Sequence, residues 1–555
     1  MGALAGSFIG AQVIVFYALL WPLREDNWLT GFRNYFSNDQ LSYSAIATAA
    51  SRGRFFVEPL TESGSSFYPS AWYYFMGIVG GITGIPIVTL WQVLGLLAVA
   101  TAIAVLGAVA YRVSHFTFAP LLPAIAILTG TLSTVFSDNW FTSLNSHAVI
   151  WGPFGTLFPL NGESVGLMLG GVALALLLLA TQIGPKPRVI YPAVIILGLL
   201  ANIQTYSFFS ATTLAGFFVA ILALKKLPSR NRLLTSAALI ALVLLSGRFV
   251  AEIIGPLPLL VLLMLALLPA AWPLITANLR LSIIAAILYV GFAAPQIVHT
   301  LLGLLGDDEF LNYRQASTDE LGVNLGVAIL CAIPVLLFVA VCLFTLKQFP
   351  NSGFTSLFIA LGIGAAIMTT NDLWGFNQEP YRFWLQYLIM AGFLTSIVLA
   401  WSITKWRTAD LRKILIPLVA VAVTIWVVSL LDFWEFRGYA SDQGVIETTD
   451  SRAQALRDLV PTDQGLILSS RCVDPQVLRL ITTAPVAYFN YGLAWPDNRN
   501  EIPSSNQPDL QASGVTYAIT DSACEQDWEF TETEIQALDV GTYDGGFLTL
   551  WKLPN

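Results

Sequence analysis

Charge is scarce in this sequence. Only 11% of its 555 residues are Asp, Glu, Lys or Arg, while 56% are apolar; a soluble domain carries about 25% charged residues. That shortage excludes an ordinary water-soluble fold, and a mean hydropathy of +0.69 points the same way. Histidine is rarer still. The three in the chain, His115, His147 and His299, are scattered over different loops and spans, which argues against a histidine-based metal centre. A hard-cation site from Asp39, Asp138 and Glu163 is conceivable, because Mg²⁺ and Ca²⁺ take carboxylates, but no metal or other cofactor is expected. The glycine-rich dinucleotide fingerprint and the P-loop are missing, as are G-x-S-x-G, HExxH and the kinase signatures. No internal repeat or low-complexity tract is apparent. A net charge of −8 without a basic patch excludes nucleic acid as a partner.

Long apolar runs are what the sequence has. A membrane-spanning helix needs about 20 such residues, and runs of that kind are centred near Val13, Leu97, Leu128, Ala175, Leu197, Phe217, Leu242, Leu262, Leu288, Val335, Ile363, Met390 and Val423. The fold class expected is therefore a polytopic α-helical membrane protein of about 13 spans, followed by a small α/β domain. The transmembrane domain would occupy residues 1–435 and the C-terminal domain residues 436–555.

Basic residues set the orientation. With Met1 inside, the inner loops hold Arg112, Lys186, Arg188, Lys225, Lys226, Arg230, Arg232, Arg280, Lys347, Lys405, Arg407, Arg412 and Lys413, beside one acid, Asp410. The outer loops collect the acids, from Glu25 and Asp39 through Glu163 and Asp308 to Glu379. Such a bias fixes topology and puts everything after Trp434 outside, in a multi-pass protein of the plasma membrane. No Lys or Arg precedes Arg24, so the first span lacks a basic anchor and the stretch lacks a signal-peptide n-region; a trimmed or misassigned start is the expectation. Of the four cysteines, Cys331 and Cys342 share an apolar span and read as packing residues. Cys472 and Cys524 fall on the oxidising side, where they either pair or stay free.

The first outer loop, residues 23–84, is more than a connector. Asp39–Arg54 reads as an amphipathic helix with Leu41, Ala45, Ile46 and Ala49 on one side. Ser66–Gly77 is aromatic yet too short to span, so both segments are expected to lie in the membrane interface. In the tail, Arg452–Leu459 and Pro475–Ile481 read as helices. Gly465–Ser469, Pro485–Phe489, Val515–Ile519 and Gly546–Leu553 read as strands.

Ionisable residues gather at the outer ends of spans, whereas an ion-coupled transporter would bury them mid-membrane. Arg248 and Glu252, four apart, are spaced for an ion pair. The sharpest signal is Asn38-Asp39-Gln40. A carboxylate beside an aromatic floor, just outside the lipid headgroups, can act as general base on an incoming hydroxyl; an Asp before a helix can equally just cap it. Asp138, Asn139, His147 and Glu163 belong to a second outer loop. Tyr313-Arg314 and Gln378-Glu379-Pro380-Tyr381-Arg382 each set an Arg near a Tyr. A guanidinium holds phosphate by paired hydrogen bonds, and it also snorkels or pairs locally, as Arg314 would with Asp307 or Asp308.

The arrangement resembles the GT-C superfamily of membrane glycosyltransferases. The likeness rests on the acid of Asn38-Asp39-Gln40 in the first outer loop, two interfacial helices after it, a dozen or so spans and an outer C-terminal domain. Ser66-Phe67-Tyr68-Pro69-Ser70-Ala71-Trp72 is similar to a Tyr-Pro-rich stretch of actinobacterial members, among them arabinofuranosyltransferases of cell-wall assembly. The resemblance implies an inverting transfer of a pentose or hexose from a polyprenyl-phosphate donor to a cell-envelope glycan or glycolipid, with Asp39 as base. Arg314 and Arg382 would hold the donor phosphate. Asn38, Tyr68, Asp138, His147, Glu163, Tyr313, Gln378 and Glu379 are candidates for substrate contact, and Trp140, Trp151 or Trp374 for stacking on sugar rings. The C-terminal domain would guide the acceptor. Two other readings remain, a transporter or flippase of lipid-linked sugars and a non-catalytic envelope assembly protein.

Overall fold

The computed structural model describes residues 29–33, 39–126, 159–308, 311, 353–404, 424, 427, 445–460, 465–489, 502, 514–530 and 535–553. The expected spans near Val13, Leu128, Val335 and Val423 lie outside the described residues. What is described is a polytopic bundle of apolar helices carrying a small sheet unit at the C-terminal end of the chain.

Two short helices come first, α1 (Asp39–Ser51) and α2 (Ala71–Thr83). The bundle follows, with α3 (Ile87–Ser114), α4 (Gly162–Ile183), α5 (Pro187–Ile203), α6 (Thr205–Lys226) and α7 (Arg230–Ile254). Next are α8 (Leu257–Ala266), α9 (Leu268–Ala277), α10 (Leu279–Leu305), α11 (Gly353–Thr369) and α12 (Pro380–Thr404). Six described helices are long and apolar enough to cross a membrane, or seven if α8 and α9, bent by 61° at their junction, count as one span. The bend falls at Leu267, where Pro269 in the first turn of α9 cannot continue the hydrogen-bond ladder of α8. The runs read near Leu197 and Ile363 become the shorter helices α5 and α11.

Charge sorts along the bundle as the loops suggest. Arg112, Lys186, Arg188, Lys225, Lys226, Arg230, Arg232 and Arg280 all sit at or beside helix ends of one pole. Asp39, Glu58, Glu62, Glu163, Asp372 and Glu379 belong to the opposite pole, where α3, α4, α6 and α12 begin. Apolar middles with polar ends are what a bilayer demands of helices that must satisfy their own backbones.

Two local readings need correction. The helix at Asp39 ends at Ser51 and is not one-sided: its polar residues Gln40, Ser42, Ser44 and Thr48 are buried along with Leu41, Ile46 and Ala49. Its many small side chains let it be enclosed on all sides instead of floating on a surface. Gly77 of α2 meets it backbone to backbone, since a Cβ there would come within 2.4 Å of the Ala47 carbonyl oxygen. The aromatic segment Ser66–Gly77 is non-helical through Ser70 and becomes helical at Ala71. Its start is tied to α10. His299 Nε2 lies 2.7 Å from the Ser66 carbonyl oxygen, and Gln296 Nε2 donates to the Phe67 carbonyl at 2.9 Å.

The tail returns to the pole of Asp39. Strand β1 (Gly31–Arg33) pairs antiparallel with β2 (Val445–Glu447), so the chain just before α1 and the chain entering the C-terminal unit share one face. That unit has helices α13 (Ser451–Leu459) and α14 (Pro475–Ile481). Its strands are β3 (Leu466–Leu468), β4 (Val486–Ala487), β5 (Val515–Asp521), β6 (Gln536–Tyr543) and β7 (Gly546–Lys552), in the order β4-β3-β5-β7-β6. Pairs β4–β3 and β3–β5 are parallel, while β5–β7 and β7–β6 are antiparallel. Strand β6 is an addition to the elements read from sequence. Its edge residues Gln536–Val540 are exposed, so no apolar alternation marks it.

Parallel α/β sheets offer a crevice where strand order reverses, at the carboxyl ends of strands. Here that point, between β3 and β5, is filled by the protein itself. A disulfide joins Cys472 to Cys524 with their Cα atoms 5.6 Å apart. The Asp527 carboxylate accepts from Ser470 Oγ at 2.7 Å, from the Arg471 N–H at 2.9 Å and from the Asp521 N–H at 2.6 Å. The cross-link closes a sequence separation of 52 residues, and removing a native disulfide from a small domain costs about 2–5 kcal/mol. The double replacement Cys472→Ala/Cys524→Ala should therefore lower the unfolding midpoint of the C-terminal unit in calorimetry. An unchanged midpoint, with or without reductant, would mean that the cross-link contributes nothing to stability.

Candidate active site

Asp39 occupies the first turn of α1 and is 7% exposed. It stands within the helix and not in the flanking position where a side-chain cap belongs, and the positive end of the helix dipole favours a carboxylate there. One turn on, Tyr43 shares its face. Tyr43 stacks on Tyr68 and Tyr73 with ring centroids 5.3 and 5.2 Å apart, and Tyr73 continues the stack onto Trp91 at 5.7 Å. Burial pushes the Tyr43 and Tyr73 phenols well above their usual pKa, and the charge of Asp39 acts on both in the same direction. Both phenols therefore stay protonated and serve as hydrogen-bonding groups, not bases.

Tyr73 links α1 to the bundle. Its hydroxyl accepts the Gly162 N–H at 3.0 Å, at the N-terminus of α4. The next amides, Glu163 and Ser164, donate to Asn161 Oδ1 at 3.0 and 3.2 Å, so the N–H groups of the first three helical residues are all satisfied. Gly162 is closely confined, since a Cβ would stand 3.2 Å from the Tyr73 oxygen and 3.0 Å from the Ile203 carbonyl oxygen. Tyr73→Phe leaves the Gly162 amide without its buried acceptor. We expect it to cost about 1–3 kcal/mol, read as a lower melting temperature in detergent; no change would mean that water replaces the hydroxyl.

Beyond Glu163 the polar tract reaches α12. Arg382 lies with Nε 2.6 Å from Glu379 Oε2 and Nη1 3.8 Å from Glu163 Oε2. Its guanidinium carbon sits 5.1 Å from the Tyr206 ring centre, a cation–π contact. The Tyr206 hydroxyl donates to Glu379 Oε2, and Glu379 is 1% exposed. Glu163 Oε1 is buried without a hydrogen-bond partner among the described residues, which is costly for a carboxylate oxygen. Asp39, Tyr43, Tyr68, Tyr73, Glu163, Arg382, Glu379 and Tyr206 thus form a tract of buried and half-buried polar and aromatic groups at one pole of an apolar bundle.

Several candidates read from sequence have other places. Gln378 is built into a turn, its N–H donating to Asn371 Oδ1 at 2.6 Å and its carbonyl accepting Asn371 Nδ2 at 3.0 Å. Trp374 is buried and stacked on Phe376 at 5.4 Å, so it offers no ring face to a sugar. Arg248 turns to the Asp372 carbonyl oxygen at 3.3 Å, and among the described residues no ion pair joins it to Glu252. Asn38, Asp138, Trp140, His147, Trp151, Tyr313 and Arg314 lie outside the described residues. No group of three or more potential metal ligands occurs among the described residues. Tyr43, Tyr73 and Tyr206 were not singled out by sequence. Tyr43 was legible as the i+4 neighbour of Asp39, whereas Tyr206 needs the fold to bring it to Glu379.

No family model matches this chain, and no curated protein matches it. Among the solved structures that match, ArnT from Cupriavidus metallidurans bound to undecaprenyl phosphate aligns with 98% of this chain and 97% of its own. The sequence identity is 12% and the TM-score 0.46.

Proposed function

We propose that the protein is a membrane glycosyltransferase that moves a sugar from a polyprenyl-phosphate donor to a glycan or glycolipid acceptor at the outer face of the membrane. The observation that carries this reading is the polar tract itself. It sets a buried carboxylate, Asp39, and a half-buried guanidinium, Arg382, at the same pole of an apolar bundle and joins them through stacked tyrosines. A lipid-linked substrate would present its headgroup at such a pole while its chain stays among helices. The disulfide favours the outer side for that pole, because cysteine pairs persist in oxidising compartments.

The reaction is an inverting displacement. Asp39 accepts the proton of an acceptor hydroxyl as its oxygen bonds to the anomeric carbon. The bond from that carbon to the phosphate oxygen breaks, and the electron pair leaves with the lipid phosphate. Arg382, with Arg314, neutralises the charge developing there, an effect worth about 3–4 kcal/mol for one well-placed donor in a site that excludes water. Tyr43, Tyr68 and Tyr73 stack beside Asp39, and Glu379 and Tyr206 hold Arg382 in place.

Purified protein in lipid nanodiscs, supplied with radiolabelled polyprenyl-phosphate pentoses and hexoses and a mixed glycolipid acceptor pool, tests the proposal. Label passing to acceptor with release of polyprenyl phosphate supports it. Movement of intact donor across a liposome bilayer, with no label transferred, would replace it by the flippase reading.

A further inference from the structure

The C-terminal unit shares its core with the loop that carries Asp39. Ala45 from the middle of α1 and Leu60 from the loop after it are buried among Leu456, Leu478, Val486 and Phe489. The Leu60 carbonyl also accepts the Val486 N–H at 2.9 Å, which fastens the loop to β4. At the rim, Arg479 of α14 has no exposed surface, and its Nη2 meets Glu62 Oε1 at 2.5 Å. Arg52, the first residue past α1, and Arg54 approach the same carboxylate at 3.8 Å each. Arg52 and Arg479 also donate together to the Thr483 carbonyl oxygen. Glu62 adopts a φ of +56°, a region that residues other than Gly rarely enter. Strain of this kind persists only where the surroundings over-determine it; here three guanidinium groups converge on one carboxylate.

The helix has two working faces. At about 100° per residue, Asp39, Tyr43, Ile46 and Ala50 fall along one side of α1, while Ala45, with Arg52 just past the helix end, falls about 140° away. The first side meets the tyrosine stack and α2. The second meets the C-terminal unit. Any roll of α1 in this sandwich would swing the Asp39 carboxylate, since a rigid helix turns as one body.

We propose that Arg479 and Glu62 form a positioning clamp, through which the C-terminal unit fixes the roll of α1 and so aims Asp39. Neither residue touches a reacting atom. The C-terminal unit is on this account an integral part of the catalytic frame. The inference rests on Asp39 as base for its kinetic arm only.

Full-length protein in nanodiscs is compared as wild type, Glu62→Gln, Arg479→Lys and Arg479→Ala. Amide hydrogen exchange is read over peptides of α1, α3 and α4, beside kcat and KM for the polyprenyl-phosphate sugar. Glu62→Gln and Arg479→Ala should speed exchange in residues 39–51 at least tenfold while α3 and α4 stay protected. Their kcat should fall at least tenfold, the scale set by small misplacements of a catalytic group, with KM for donor unchanged. Arg479→Lys, which keeps the charge, should recover part of both. If Arg479→Ala fails to fold, Glu62→Gln decides. Unchanged exchange over α1 in folded Glu62→Gln overturns the clamp. Faster exchange with an unchanged kcat, or a rise confined to KM, overturns its role in aiming Asp39. A wild type that transfers no sugar sinks the proposed function alone, and the exchange readout still decides the clamp.

Discussion

Replacing Asp39 with Asn is expected to lower kcat for sugar transfer by about 10²–10⁴, the range a positioned general base contributes. The protein should stay folded. Asn is close to Asp in size and tolerates a helix N-terminus, and the lost charge–dipole interaction is worth about 0.3–1 kcal/mol. KM for donor should barely move, because the proton is taken from the acceptor. Asp39→Glu carries the carboxylate one methylene further and should retain part of the rate; a simple loss of helix stability predicts no such recovery. Transfer assays beside melting curves in the same nanodiscs check this. Undiminished transfer by Asp39→Asn would reduce the residue to a helix-terminal charge and move the base to Glu163 or Glu379.

How far the sequence reveals this architecture depends on the range over which each force acts. The spans and their polarity are legible because lipid imposes one rule on every segment: Leu97 and Ala175 centre runs that become α3 and α4, and Lys225 and Arg230 mark the pole opposite Asp39. In the tail, β3, β5 and β7 show as short apolar runs because they lie inside the sheet, whereas β6 at the edge carries no such pattern. The burial of α1 was not legible. Ala, Ser and Thr scattered around a helix look like a weakly amphipathic surface segment, and only contact with both the bundle and the C-terminal unit explains why all sides are covered. The site divides the same way. Asp39 announces itself by its place before an aromatic segment. The pairing of Arg382 with Glu163, 219 positions earlier, and of Tyr206 with Glu379 is a product of helix packing. Arg479, the one charge in a short and otherwise mostly apolar helix, gives no sign of its own that its partner will be Glu62, 417 positions earlier.

The second large effect is expected at Arg382, where stability and catalysis can be pulled apart. Arg382→Met keeps most of the apolar stem but removes the positive charge between Glu379 and Glu163. Removing one partner of a buried pair strands the other, at a cost of about 3–5 kcal/mol, so this variant should melt well below wild type and transfer no sugar. Adding Glu379→Gln takes away the more tightly held carboxylate, the one 2.6 Å from Arg382 Nε, and leaves an amide that can still accept from Tyr206. Replacing both members of a buried pair is often close to neutral, so the double variant should regain most of the lost stability. Its rate decides what Arg382 is for. If the guanidinium holds the departing lipid phosphate, transfer stays about 10²–10³ below wild type, the usual loss of one electrostatic donor, although the protein is stable again. If transfer returns with stability, Arg382 is only the counter-ion of a buried carboxylate. The geometry favours the first outcome. Nη1 lies 3.8 Å from Glu163 Oε2, beyond hydrogen-bonding distance, so Glu163 is the weaker partner and the one an incoming phosphate would displace from the guanidinium.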